Sequence, residues 1–153
     1  SLETLDGKVL REGEEAAHVP ALEAIQVCAL DFSKQVTAEN CREVVLVYAL
    51  YRGEERLSLG VMPFAPNKHL TLTDPGLSSE VRKLKHGFAI ALSVERLARF
   101  VWLALEGKDV IFSDNGFDLP AGRRVTVTLP ALEGRTVEDV RDALHVRSLI
   151  DSH

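Results

Sequence analysis

Cysteine, methionine and aromatic residues are scarce: two Cys, one Met, one Trp and two Tyr in 153 residues. The cysteines, Cys28 and Cys41, are too few for the disulfide framework that holds many small secreted domains. Neither sits in a Cys-x-x-Cys, and no histidine stands at metal-ligand spacing from either, which argues against a zinc site. Cys28 falls in an apolar run between Ile25 and Leu30, so a buried free thiol is expected there, a disulfide being the unsupported alternative. No apolar run approaches the roughly 18 residues of a membrane span. No signal-peptide pattern and no Asn-x-Ser/Thr acceptor occurs. A soluble protein is expected, with no membrane partner and the cytoplasm slightly favoured.

Basic charge is not in excess either. The net charge is −5, whereas phosphate binding needs concentrated Lys and Arg, so nucleic acid is not an expected partner. Arg82, Lys83 and Lys85 form the one basic cluster and read as a solvated strand end. Catalytic signatures are missing as well. There is no Gly-x-Ser-x-Gly, no Gly-rich phosphate loop and no Ser/His/Asp grouping, and the histidines are scattered at 18, 69, 86, 145 and 153. The carboxylates fall mostly in turns or on polar strand faces, where solvation explains them. No cofactor, metal or catalytic residue is expected.

What is present is strand periodicity. Leu5-Asp6-Gly7-Lys8-Val9 signals a hairpin, with Asp6-Gly7 able to supply the positive φ of a tight turn. Residues 25–32 read as a strand with Cys28, Leu30 and Phe32 on one face. Residues 44–51 are apolar on both faces, as in a strand covered on two sides or lying at an interface. Arg52-Gly53-Glu54 turns the chain into a second hairpin strand over residues 56–64.

Pro63, Pro66 and Pro75, with Asp74-Pro75-Gly76, place a domain boundary near residues 65–69. Beyond it, Phe88, Ile90, Leu92 and Val94 alternate with Ala89, Ala91 and Ser93. Residues 98–105, carrying Trp102, are apolar on both faces, and residues 110–112 suggest a short strand. Val125, Val127 and Leu129 alternate with Thr126 and Thr128, the pattern of a strand with one wet face. Thr136-x-x-Asp139 is a capping-box variant opening a short helix over residues 137–144, and an extended tail follows. The expected fold is all-β: two small immunoglobulin-like antiparallel β-sandwiches with a short C-terminal helix. Residues 1–66 form a partial, carbohydrate-binding-module-like sandwich that reads as truncated, and residues 67–153 form the second.

Three stretches carry a family resemblance. They are Leu97-Ala98-Arg99-Phe100-Val101-Trp102-Leu103-Ala104-Leu105, Phe112-Ser113-Asp114-Asn115-Gly116-Phe117-Asp118-Leu119-Pro120-Ala121-Gly122, and Arg124-Val125-Thr126-Val127. Together they resemble the C-terminal immunoglobulin-like domain of β-mannosidases of glycoside hydrolase family two. That domain has a Val-Trp-Leu strand, a Ser-Asp-Asn-aromatic-Phe-Asp-Leu corner and a Pro-Gly-type turn. Residues 137–151, above all Val146-Arg147-Ser148-Leu149, resemble the end of the same enzymes. Leu5–Leu10, Val19–Leu22 and Phe64-Ala65-Pro66 are similar to the domain before it. Gly116 departs from the pattern, standing where an aromatic residue is usual.

The resemblance implies a non-catalytic C-terminal accessory segment. Its partner would be an upstream (β/α)8 barrel of the same polypeptide, whose two glutamates would remove terminal β-linked mannose. The truncated sandwich adds a homodimer of the fragment as an expectation. From the residues themselves, Asp114, Asn115, Phe117 and Leu119 are expected to build a structural corner, the two Asx side chains bonding nearby backbone. Tyr48, Tyr51, Phe64, Phe100 and Trp102 are the aromatic candidates for a sugar site. Of these, Tyr48, Tyr51 and Trp102 are put first, for an interface or, with less support, a sugar contact, and Trp102 is expected to be mostly buried. The rival readings are an independent carbohydrate-binding module, which an exposed aromatic row would favour, and an unrelated immunoglobulin-like interaction domain.

Overall fold

A computed structural model describes residues 1–152. Its ten strands are all antiparallel. The first sheet runs β2-β1-β3-β4, with β1 Leu2–Thr4, β2 Val9–Arg11, β3 Val44–Arg52 and β4 Glu55–Pro63. The Asp6-Gly7 turn closes its first hairpin, Gly7 at φ 87°. The second unit packs two three-stranded sheets face to face. One is β5-β6-β9 (Ser78–Leu84, Gly87–Ser93, Arg124–Pro130). The other is β10-β7-β8 (Leu144–Arg147, Ala98–Leu105, Phe117–Leu119). Period-two alternation turns Phe88, Ile90, Leu92, Val127 and Leu129 from one sheet against Val101, Leu103 and Leu119 from the other, all buried.

The helix α1 (Val137–Ala143) buries Val140 at the edge of this core, and its N-terminus is held by the expected capping box. Thr136 Oγ1 accepts from Asp139 N at 3.1 Å, and Asp139 Oδ2 accepts from Thr136 N at 2.8 Å. The Thr136 N–H first, and then the Thr136 hydroxyl, which donates to the same oxygen at 2.9 Å, hold the Asp139 carboxyl below its ordinary value.

Both units share a seam. Leu97, in the turn before β7, is buried among Val45, Val47 and Val61 of the first sheet. Its N–H donates to Leu5 O at 2.8 Å. Glu3, almost wholly buried, is paired with Arg123 at 2.5 Å. Only one end of β3 joins this seam. Val44, Val45 and Val47 are buried, whereas every residue from Tyr48 to Arg52 and from Glu55 to Ser58 is exposed. The end of the β3–β4 hairpin therefore projects as an arm, touching β9 where Arg56 Nη2 donates to Arg124 O at 3.4 Å.

Four expectations are corrected. Residues 25–32 form no strand: they lie in an irregular excursion between β2 and β3 and pair with neither open edge of the first sheet, β2 or β4. Phe32 does reach the sheet, packing edge-on against Phe64 with centroids 5.9 Å apart. Cys28 is exposed rather than buried, and both cysteines are free thiols. Residues 110–112 are likewise not a strand. Trp102 is 58% exposed, because β7 has one wet face on which Phe100, Trp102 and Ala104 alternate with buried Val101, Leu103 and Leu105.

Candidate functional site

The corner between β7 and β8 is built from side chains that imitate backbone. Asn115 accepts from Leu103 N at 2.7 Å and donates to Leu103 O at 2.9 Å, so its amide takes the place of a strand neighbour. Gly116, at φ 74°, turns the chain and donates its N–H to Val101 O at 2.9 Å. Asp114 Oδ1 accepts from Asn115 N at 2.8 Å. Phe117 packs at the core edge and Leu119 is fully buried. Each Asx residue thus satisfies main-chain groups that a β-ladder would otherwise have to meet.

One turn along, β7 breaks its pairing with β8. Ala98 faces Leu119 and Val101 faces Phe117, so Arg99 and Phe100 together oppose the single residue Asp118. This is a β-bulge. It places Phe100 at φ 52°, an outlier for a bulky side chain. It also turns Arg99 inward, where it is 6% exposed. Asp118 Oδ1 accepts from Phe100 N at 3.0 Å and stands 3.0 Å from Arg99 Nε. Arg99 Nε is nevertheless off the hydrogen-bonding line, and buried Nη1 has no partner among the described residues. Burial pushes the Asp118 carboxyl above its ordinary value, partly offset by the Phe100 N–H and the Arg99 charge.

The aromatic candidates lie on two separate surfaces. Tyr48 and Tyr51 are exposed on the arm. Tyr48 lies over Gly60 across the hairpin: a Cβ there would stand 2.3 Å from the ring, so only glycine allows this placement. Trp102 sits on the outer face of β7, beside Phe100. Phe100, also an aromatic candidate from the sequence, stands two residues from Trp102, a spacing that puts both on one strand face. A groove of about 610 Å³ lies between the excursion and the first sheet, lined by Cys28, Leu30, Phe32, Cys41, Leu46 and Met62 among others. Among the described residues, no group of three or more Cys, His, Asp or Glu is placed to hold a metal ion. No helix there is long and apolar enough to cross a membrane.

Residues 72–152 match the sequence model of the Ig_mannosidase family, described as an Ig-fold domain, over more than half of the chain. The chain belongs to this family. Residues 1–69 match a second model, the mannosidase Ig/CBM-like domain. No curated protein matches the chain. Among solved structures it is similar to a β-D-mannosidase from Dictyoglomus thermophilum, with a TM-score of 0.75 and 18% sequence identity. That alignment covers 97% of this chain but only 18% of the other, so the Ig_mannosidase unit and its neighbour span under a fifth of that protein's length. At this identity the likeness establishes the shared fold, a mostly β chain of immunoglobulin-like sheets.

Proposed function

We propose that this chain is a non-catalytic accessory segment of a larger β-mannosidase-like glycoside hydrolase. Its role would be to pack against and support an upstream catalytic barrel that hydrolyses terminal β-D-mannosyl residues. The family assignment suggests the parent, and the observation that carries the packing role is the β3–β4 arm. Tyr48, Leu50, Tyr51 and Leu57 are all exposed there, on a two-stranded ribbon whose apolar side chains no other described residue buries. Such a ribbon is marginal in water by itself. Clustered exposed apolar residues of this kind mark interaction surfaces. The boundary between the two units is placed near residues 65–69, within the proline-punctuated stretch that follows β4. The Asp114, Asn115, Phe117 and Leu119 corner has a structural role in this reading.

Replacing Leu50 and Tyr51 together by Ser tests the docking. In the full-length gene product the loss should reach about 3 kcal/mol, since each buried large apolar side chain contributes roughly 1.5–3 kcal/mol. In the 153-residue chain the same change should stay within about 0.5 kcal/mol, as for exposed positions generally. Equal effects in both settings would remove the arm from the interface. The 153-residue chain should also leave aryl β-mannosides uncleaved, because retaining hydrolysis needs two carboxyl groups about 5 Å apart across the scissile bond. Turnover by a preparation free of host glycosidases would contradict the accessory role.

Separated from the barrel, the arm is expected to find a second copy. β4 ends its sheet order, which leaves one row of backbone N–H and C=O groups open beside the apolar residues. A two-fold dimer is the expected state in light scattering at micromolar concentration. A monomer at every concentration would mean that the edge is not self-complementary.

A further inference from the structure

The outer face of β7 carries a second aromatic surface that the accessory role does not use. Phe100 and Trp102 lie side by side on it, 43% and 58% exposed. Gly116 supports the indole: a Cβ there would stand 3.7 Å from Cε3 and Cζ3, so the ring lies against the corner's backbone. The main chain under both rings is fixed at four points. Asn115 holds Leu103 N and O, Gly116 N–H holds Val101 O, and Asp118 holds Phe100 N. Phe100 keeps φ at 52° in this frame, and a strained conformation held so firmly is characteristic of sites with a task.

The surroundings indicate the class of ligand. Arg147 stands directly across from Trp102 on β10, and His145 across from Ala104, both exposed. Glu106 is 3.3 Å from His145. Two rings cover far less than the roughly 800 Å² that a stable protein interface needs on each partner. They suit a pyranose, whose C–H-bearing face meets the negative face of an aromatic ring while its hydroxyls reach polar groups at the rim. Charges of both signs in the frame give no preference for an acidic sugar.

We propose that Phe100 and Trp102 form a stacking surface for a neutral β-linked pyranose chain, with Arg147 donating to its hydroxyls. The β linkage and the choice of mannose as the first sugar rest on the mannosidase reading.

Trp102 is the only tryptophan in the sequence, so the emission of the 153-residue chain reports on this surface alone. Titration with a soluble β-1,4-linked manno-oligosaccharide should give a saturable change in emission, with Kd of about 1 mM or below. Phe100→Ala and Arg147→Ala should each weaken binding by about 10-fold or more, while Trp102→Phe retains part of it. Because Phe100 and Arg147 are exposed, unchanged circular dichroism is expected for both variants. Binding of a β-1,4-gluco-oligosaccharide but not the manno form would support the stacking surface and count against a mannosidase parent. No saturable response to either sugar up to about 20 mM would overturn the proposal. So would calorimetric binding that Phe100→Ala, Arg147→Ala and Trp102→Ala all leave unchanged.

Discussion

Gly87→Ala is expected to destabilise the chain by more than about 3 kcal/mol, from backbone strain and steric overlap acting together. Gly87 opens β6 at φ 148°, a region that residues with a side chain rarely enter. It also pairs with Pro130 of β9, and a Cβ there would stand 2.2 Å from Leu129 O and 3.1 Å from the Pro130 carbonyl carbon. Both obstacles are main chain in a central ladder, so neither can swing aside. Relief requires β9 to separate from β6 next to buried Phe88 and Leu129, which opens the main core. Gly53→Ala separates the two effects. Gly53 has φ 60° but nothing within reach of a new Cβ, so only the left-handed strain of about 1–2 kcal/mol applies. Urea denaturation of both variants measures the difference. If Gly87→Ala is no worse than Gly53→Ala, the close approach of β9 to Gly87 is wrong.

The same core shows what a sequence can convey. Phe88, Ile90, Leu92, Val127 and Leu129 were legible because period-two alternation against Ala, Ser and Thr states which side is wet. The helix was legible because Thr136 and Asp139 satisfy each other's backbone, a chemistry local to four residues. Residues 25–32 have strand-like alternation and no strand, since a ladder needs a paired neighbour and a single segment cannot show whether it will be paired. Trp102 was misjudged for a related reason. In residues 98–105 nearly every position is apolar, so hydrophobicity could not separate the inner face from the outer. The bulge added a second obstacle, reversing the phase between Ala98 and Val101 with no glycine to announce it. The Asx corner could be anticipated as a turn, yet the Asn115 clamp on Leu103 depends on a partner twelve residues away. The strand-like pairing of that amide follows from the tertiary fold.

Arg99→Ala is the other change expected to have a large effect, about 3–5 kcal/mol, because it leaves a mostly buried carboxylate without its counter-charge. The lone charge in an otherwise apolar strand was the available signal in the sequence, and Asp118, nineteen residues on, supplies the reason for it. The Asp118 side chain is 15% exposed and its one oxygen both balances Arg99 and caps Phe100 N. Losing Arg99 therefore loosens the bulge as well as unpairing the charge. Two variants distinguish these roles. Arg99→Met with Asp118→Asn keeps the acceptor for Phe100 N while removing both charges, and should recover most of the loss, since well-packed neutral groups often replace a buried pair at little or no cost. Arg99→Met with Asp118→Leu also removes the acceptor, leaves the Phe100 N–H unsatisfied and should remain destabilised by at least about 1 kcal/mol.

Acid provides an independent test of the same pair. Burial already holds the folded-state value for Asp118 above its ordinary one. Protonation of this group therefore favours the folded state, a contribution fully present below the unfolded value and lost as pH rises through the folded one. Arg99→Ala removes the positive charge that opposes that shift, so the carboxyl should rise further and the variant should regain stability toward acid relative to the parent chain. Denaturation midpoints of both proteins between about pH 4 and pH 7 decide it. A constant gap across that range would mean that Arg99 acts through its packing and that its charge is immaterial to the fold.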